Sequence, residues 1–145
     1  MQMKFMIPLE ADKNTEAGAL PGEKLLAAMG KYNEEMAKVG VLLTAEGLYP
    51  GAKGARVKLS EGKRTITAGP FPETNQLIAG FWMIQVKSKD EAIEWVKPCP
   101  NPMQEEAEIE IRQVNEAADF GEALTPELKK QEERMAAQLA ANVER

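Results

Sequence analysis

The stretch that decides the fold is Ala68-Gly69-Pro70-Phe71-Pro72-Glu73-Thr74, a rigid turn between two β-prone segments. Pro70 and Pro72 each hold φ near about −65° and lack a backbone N–H, so this stretch cannot be helix or central strand. Gly69 before them allows a backbone conformation that is closed to other residues. We therefore expect one strand to end here and another to resume near Gly80.

Two β-prone regions precede this turn. Residues 55–60 and 64–67 alternate in polarity on either side of Glu61-Gly62-Lys63, a pattern that predicts a β-hairpin. Val41–Tyr49 is apolar and β-prone at its start and is closed by Pro50-Gly51, which predicts a separate strand.

The segment that follows the turn predicts a strand and then a helix. Its large apolar residues lie on both faces of the strand, with Phe81 and Met83 on one face and Trp82, Ile84 and Val86 on the other. Both faces must therefore be covered in the folded protein. Ser88 and Glu91 fit a capping box at the start of a helix that ends by Pro98.

A strand, a loop and a helix are predicted before Val41. Residues 2–8 alternate as in a strand, with Pro8 at its end or edge. Residues 9–21 have turn chemistry and no periodicity, which predicts a loop able to act as a flap. From Gly22 to Val39 apolar residues recur at helical spacing, at Leu25, Met29, Tyr32 and Met36, and Gly40 follows as a helix-ending residue.

The end of the chain predicts a last strand and a charged helix. Ile109 and Ile111 alternate with charged residues, and a linker then runs to about Gly121. Thr125-Pro126 predicts the start of a terminal amphipathic helix. We expect a domain over residues 1–121 and, over 122–145, a helix that packs on the domain or on a partner subunit. The order is that of an α+β, ferredoxin-like fold, β-α-β, hairpin, β-α-β.

Composition limits the classes of function. The 145 residues suit one globular domain, and the single cysteine excludes an internal disulfide. Because no apolar run of 18 residues or signal-like segment occurs, we expect a soluble cytoplasmic protein without a membrane role. The net charge of −5 argues against nucleic acid as a partner.

Few residues are suited to catalysis. The chain has no histidine, which excludes His-based triads and His metal sites. We predict no metal and no cofactor, because Glu106, Glu108 and Glu110 fit a solvated strand face better than an oxygen cage. Cys99 lies between prolines and lacks an activating partner.

Five residues are candidates for a small-molecule pocket next to the turn. Glu46 and Glu73 have apolar neighbours, which can tune a carboxyl group for acid–base chemistry. Tyr49, Phe71 and Trp82 would line the pocket with them, Phe71 from a loop that its prolines keep stiff. The alternatives are that Glu73 is a surface carboxylate, that Trp82 belongs to the core or to a dimer interface, and that Phe71 plugs the core.

Short motifs along most of the chain, from about Met3 to Gly121, resemble those of the YCII-related family in its DGPF (Asp-Gly-Pro-Phe) branch. Besides the Gly69–Thr74 turn, they are Met29-Gly30-Lys31-Tyr32-Asn33, Glu46-Gly47-Leu48, Gly54-Ala55-Arg56-Val57, Gly62-Lys63-Arg64-Thr65, Gly80-Phe81-Trp82, Lys87-Ser88-Lys89, Glu91-Ala92-Ile93-Glu94-Trp95, Cys99-Pro100 and Ile109-Glu110-Ile111-Arg112. The resemblance implies a homodimeric α+β barrel in which two ferredoxin-like sheets pack face to face.

The sequence departs from this family at the residue before Gly69. The motif has an aspartate there and this chain has Ala68; the His-Asp pair proposed for the wider family also has no counterpart. Two hypotheses therefore remain open. One is a non-catalytic ligand-binding or accessory protein. The other is a small-molecule enzyme of the lyase, isomerase or dehalogenase kind, with Glu46 or Glu73 as acid or base.

Overall fold

The computed structural model describes residues 2–72, 77–101 and 107–143. The chain divides into two compact units, Met1–Val114 and Asn115–Arg145. The strands of the first unit are β1 (Met3–Glu10), β2 (Leu42–Gly47), β3 (Ala55–Ser60), β4 (Lys63–Ala68), β5 (Ile78–Val86) and β6 (Arg112–Gln113). Its helices are α1 (Lys13–Glu16), α2 (Glu23–Lys38) and α3 (Lys89–Val96), with a 3₁₀ turn at Gly51–Lys53.

The first unit is built on a four-stranded sheet in the order β2-β5-β1-β6, in which every pair is antiparallel. This is the predicted α+β, ferredoxin-like arrangement. Strands β3 and β4 form a separate two-stranded ribbon, as the hairpin pattern predicted. Pro8 is tolerated within β1 because β6 pairs only with Phe5 and Met6, which leaves β1 without a described neighbour on that side at Pro8.

The core lies on one face of the sheet, beneath the helices. Alternate residues of β1 and β5 point there, and the fully buried ones include Phe5, Ile7, Ile84 and Val86. Each such side chain contributes roughly 1.5–3 kcal/mol through removal from water. The opposite face of the sheet carries Met6, Phe81 and Met83, and there each side chain is only half-buried.

Helix ends follow the predicted capping chemistry. Gly40 takes φ of +77° after α2, a conformation that favours glycine. At α3, Ser88 Oγ accepts a hydrogen bond from the N–H of Glu91, and the Glu91 carboxylate accepts one from the N–H of Lys87. The C-terminal end of α2 and the N-terminal end of α3 are therefore stabilised by local contacts.

The second unit contains a 3₁₀ segment, Ala117–Ala123, and helix α4, Pro126–Val143. The N–H of Leu128 donates to Thr125 Oγ1 at 3.2 Å, which confirms the predicted cap. The apolar side chains Met135 and Leu139 of α4 are exposed. Packing of this helix on the domain or on a partner subunit stays a prediction.

Three details of the predicted elements are wrong. Residues 9–21 are not all loop: β1 continues to Glu10 through pairing with β5, and α1 forms where Asp12 and Thr15 cap each other. The last strand is confined to Arg112–Gln113. Gly69 does not have positive φ; a Cβ there would lie 1.8 Å from the carbonyl oxygen of Gly51, so close backbone approach is what requires glycine.

Candidate functional site

A large open cleft lies between the N-terminal half of α2 and the end of the sheet where β2 finishes and β5 begins. Its volume is about 1660 Å³. Residues of the 12–22 segment form a further wall, so the predicted flap region borders this space. The cleft is thus bounded by three parts of the fold that are far apart in sequence.

Small residues at the end of the sheet leave this space unfilled. Gly47 of β2 pairs with Gly80 of β5, and Ala45 and Ala79 lie beside them. A Cβ on Gly80 would lie 2.6 Å from the carbonyl oxygen of Glu46, so the two strands approach closely here. Four residues with little or no side chain cannot fill the volume beneath α2.

Helix α2 is packed at one end and lies over the cleft at the other. Tyr32 and Met36 are buried in the core, whereas Leu25 and Met29 of the same stripe are half-buried and line the cleft. Leu20, at 90% exposed, adds apolar surface at the rim. Apolar walls of this kind are typical of small-molecule sites.

A hydrogen-bonded pair, Trp82 and Asn33, forms the inner wall. Trp82 is 4% exposed, and its Nε1–H donates to Asn33 Oδ1 at 2.7 Å. The ring of Tyr32 packs edge-on against Trp82 with centroids 5.5 Å apart, and the Tyr32 hydroxyl donates to the carbonyl oxygen of Trp95 at 2.7 Å. These contacts fix the orientation of the Asn33 amide, because an indole N–H can only donate.

The charged residues of the cleft include more cations than carboxylates. Three lysines line it, Lys13, Lys24 and Lys53, and Lys53 Nζ lies 4.3 Å from the centre of the Tyr49 ring. Of the two carboxylates, Asp12 caps α1 by accepting from the N–H of Thr15. The Glu46 carboxylate is exposed and accepts from the Thr44 hydroxyl at 3.4 Å.

One side chain joins the 12–22 segment to the 3₁₀ turn at Gly51–Lys53. The N–H of Gly51 donates to Glu16 Oε2 at 2.8 Å. Because α1 is a single turn with no buried residue, this hydrogen bond is a principal described contact that holds it in place. A flap role for this segment stays a prediction.

The structure brings three of the five predicted site residues to one cleft: Glu46, Tyr49 and Trp82. Phe71 is not among the residues that line it. Its ring lies beneath the Arg56 guanidinium, 4.1 Å from the ring centre, and next to Gly51. Glu73 falls outside the described residues. Glu46 is solvent-exposed and so lacks the apolar surroundings on which its acid–base hypothesis relied.

The sequence reasoning did not identify Asn33 or the lysines of the cleft. A signal for Asn33 was present, because it lies four residues after Met29 at the margin of the apolar stripe of α2. A polar residue at that position, in a chain with a tryptophan that needs an acceptor, is a candidate partner. No comparable sequence pattern distinguishes the three lysines from solvated ones.

Cys99 has the properties of an inert thiol. Burial raises the pKa of Cys99 to about 11, and burial, with a smaller effect of Cys99, raises the pKa of Tyr32. Within the described ranges, no three acidic or cysteine side chains come together as a metal site. In the same ranges, no helix has the length and apolar character needed to cross a membrane.

Comparison with known proteins identifies the family of the chain. A sequence model of the YCII-related domain matches residues 3–118. An uncharacterized protein of Rhizobium meliloti (strain 1021) is 26% identical over 90 residues, which cover 62% of this chain and 73% of that protein. The family model, which covers most of the chain, confirms the family that the sequence motifs indicated.

Proposed function

The chain belongs to the YCII-related family, and we propose that it is a small-molecule-binding or accessory protein without strong catalytic activity. The observation that carries this proposal is the cleft of about 1660 Å³ beneath α2, with apolar walls and a few fixed polar groups. Sites of that composition bind small organic molecules. The Asn33 amide, held by Trp82, supplies a pre-oriented polar group.

The proposal of weak or absent catalysis has its own support. The chain contains no histidine, and Glu46 is an exposed carboxylate. The partly buried thiol of Cys99 is protonated at neutral pH, and Cys99 is not among the residues that line the cleft. The carboxylates that line the cleft within the described ranges are Asp12, which caps α1, and the exposed Glu46, and neither is buried, whereas proton-transfer enzymes tune their acid and base through burial and neighbouring charges.

A catalytic function is the second candidate, favoured by the position of Glu46 and Tyr49 at the cleft. It would be a lyase, isomerase or dehalogenase type of reaction on a small molecule, with Glu46 or Glu73 as acid or base. Its mark would be a pH–rate profile controlled by one carboxylate and lost in Glu46→Gln.

A thermal-shift screen against a metabolite library separates the two candidates. Under the binding proposal, at least one compound raises the melting temperature of the protein and is recovered unchanged after prolonged incubation with it. Turnover of that compound, abolished in Glu46→Gln, would establish the enzyme instead. A library in which no compound shifts the melting temperature would contradict both.

We also propose that the protein is a cytoplasmic homodimer without nucleic-acid or membrane partners. The half-buried Met6, Phe81 and Met83 give one face of the sheet an apolar surface that a second copy would cover. The β3–β4 ribbon adds exposed Val57, Leu59 and Ile66, and a two-stranded ribbon is marginally stable by itself. Burying such surface contributes about 25 cal/mol per Å². The net charge of −5 supports the exclusion of nucleic acid.

A further inference from the structure

The Asn33 side-chain amide uses its oxygen within the protein, and its nitrogen can donate to a ligand. Its Oδ1 accepts from Trp82 Nε1 at 2.7 Å, and an indole N–H has no acceptor capacity, so the amide cannot flip. Among the described residues no partner contacts Asn33 Nδ2. Asn33 lines the cleft and is half-buried. The cleft wall therefore contains a fixed donor for which no described residue provides an acceptor.

The charge around the cleft favours a ligand that accepts hydrogen bonds and carries negative charge. Lys13, Lys24 and Lys53 line it, and within the described chain none has a carboxylate within ion-pair distance. The carboxylates among the described lining residues are Asp12, which caps α1, and the exposed Glu46, so the three lysines exceed them by one. The described lining residues therefore have a small excess of positive charge, in a protein whose net charge is −5. Such a potential raises the local concentration of anions.

From these two observations we propose that the ligand of the cleft is a largely apolar organic acid whose carboxylate accepts a hydrogen bond from Asn33 Nδ2. This inference rests on the proposed function and narrows it to one chemical class. The apolar body contacts the walls formed by Leu25 and Met29, and the lysines offset the cost of bringing the anion from water. Asn33 is thus a specificity-determining residue.

The fluorescence of Trp82 can report binding of the acid, because the Trp82 indole donates a hydrogen bond to Asn33. The chain has two tryptophans, so Trp95→Phe leaves Trp82 as the single indole and keeps the Trp95 backbone oxygen that Tyr32 uses. Hexanoate and benzoate are titrated against this protein, with hexanamide and benzamide as neutral analogues of equal size. The expected result is a saturable change in Trp82 emission with each acid, about ten- to a hundredfold tighter than with its amide.

Asn33→Asp tests the role of the amide itself. Aspartate keeps an oxygen acceptor for Trp82 but replaces the donor with a second, negatively charged oxygen. Acid binding should weaken by about ten- to a hundredfold or more, while the melting temperature stays near that of the parent. Asn115→Asp, the same charge change at an exposed position outside the first unit, should bind the acids as the parent does.

Three outcomes would overturn the inference. They are amides that bind as tightly as the acids, unchanged acid binding in Asn33→Asp, and side-chain amide NMR signals of Asn33 that do not move when the unmodified protein is titrated with acid. The NMR titration tests the contact between the acid and Asn33 even if the Asn33→Asp variant fails to fold. If neutral library compounds bind in the cleft and the acids do not, the proposed function stands and this inference fails.

Discussion

At the scale of single residues, glycines mark places where two backbones meet. Gly69 and Gly80 have no room for a Cβ, since one would lie 1.8 Å from the Gly51 carbonyl oxygen and the other 2.6 Å from that of Glu46. The sequence indicated that Gly69 was special but gave the wrong reason. Close approach to Gly51 depends on a partner 18 residues away, which no local pattern reveals.

Gly69→Ala should therefore destabilise the protein, while the same substitution at a glycine with open space around it should not. The added methyl group would push against backbone, which cannot move aside as a side chain can, at a cost of ~1–3 kcal/mol or more. Gly30→Ala is the control, because nothing lies within 4 Å of its Cβ position in α2, and alanine favours helix by up to ~1 kcal/mol. Urea unfolding of both variants measures the change in the free energy of unfolding. Equal changes in the two variants would contradict the close contact at Gly69.

Cys99 should react slowly with alkylating agents. Its pKa of about 11, against an ordinary value of 9.0, lowers the thiolate fraction at pH 7.5 about a hundredfold, and the thiolate is the reactive form. We expect iodoacetamide to modify the native protein correspondingly more slowly than the protein in urea. Equal rates in the two states would show that the thiol is not shielded.

The same pKa shift has a consequence for stability. Because the folded state holds the Cys99 proton more tightly, this contribution to stability is present below pH 9 and is lost as the pH rises through about 11. Cys99→Ala should make the decline of unfolding free energy over this range less steep. An unchanged slope would indicate that Cys99 titrates alike in both states.

At the scale of elements, the sequence predicted most of the fold. The stripe of α2, the β3–β4 hairpin and the capped α3 each follow from local periodicity or caps and are present. Helix α1 was missed because a single turn needs no apolar stripe, only its Asp12–Thr15 cap. The lengths of β1 and β6 depend on pairing with distant strands, which alternation alone does not determine.

The cap of α3 gives a prediction at this scale. Ser88→Ala removes the acceptor for the N–H of Glu91 and should lower the free energy of unfolding by ~1 kcal/mol. Ser60→Ala, at the end of β3 and without a side-chain hydrogen bond among the described contacts, should change it by less than ~0.5 kcal/mol. Chemical denaturation of the two variants measures these changes. A similar loss of unfolding free energy in both would argue against a specific cap at Ser88.

At the scale of the whole molecule, the proposed dimer buries the face of the sheet that carries Met83. Light scattering at micromolar concentration should give twice the monomer mass of 16.0 kDa. Met83→Glu should shift the protein to monomer, because a charge buried without a partner is costly. Val39→Glu, at an exposed apolar residue after α2, should remain dimeric. A monomer mass for the unmodified protein would refute the dimer.

The candidate site was only partly predictable from the sequence. Glu46, Tyr49 and Trp82 were selected from their neighbours in the chain, and they do line one cleft. The opposite wall comes from α2 and residues 12–22, which the sequence does not link to β2 or β5. Phe71 was placed by the stiffness of its loop, but stiffness does not determine which neighbour a side chain meets, and its ring packs with Arg56 instead.

The central claim is that the cleft beneath α2 is the ligand site, and mapping of amide chemical shifts tests it most directly. A compound found by thermal shift is titrated into ¹⁵N-labelled protein. We predict that the largest changes occur at Ala45, Gly80, the Asn33 side-chain amide and the Trp82 indole, which line the cleft, while the amides of the β3–β4 ribbon shift little. Saturable shifts confined to the ribbon or to α4, with the cleft signals unmoved, would contradict the account.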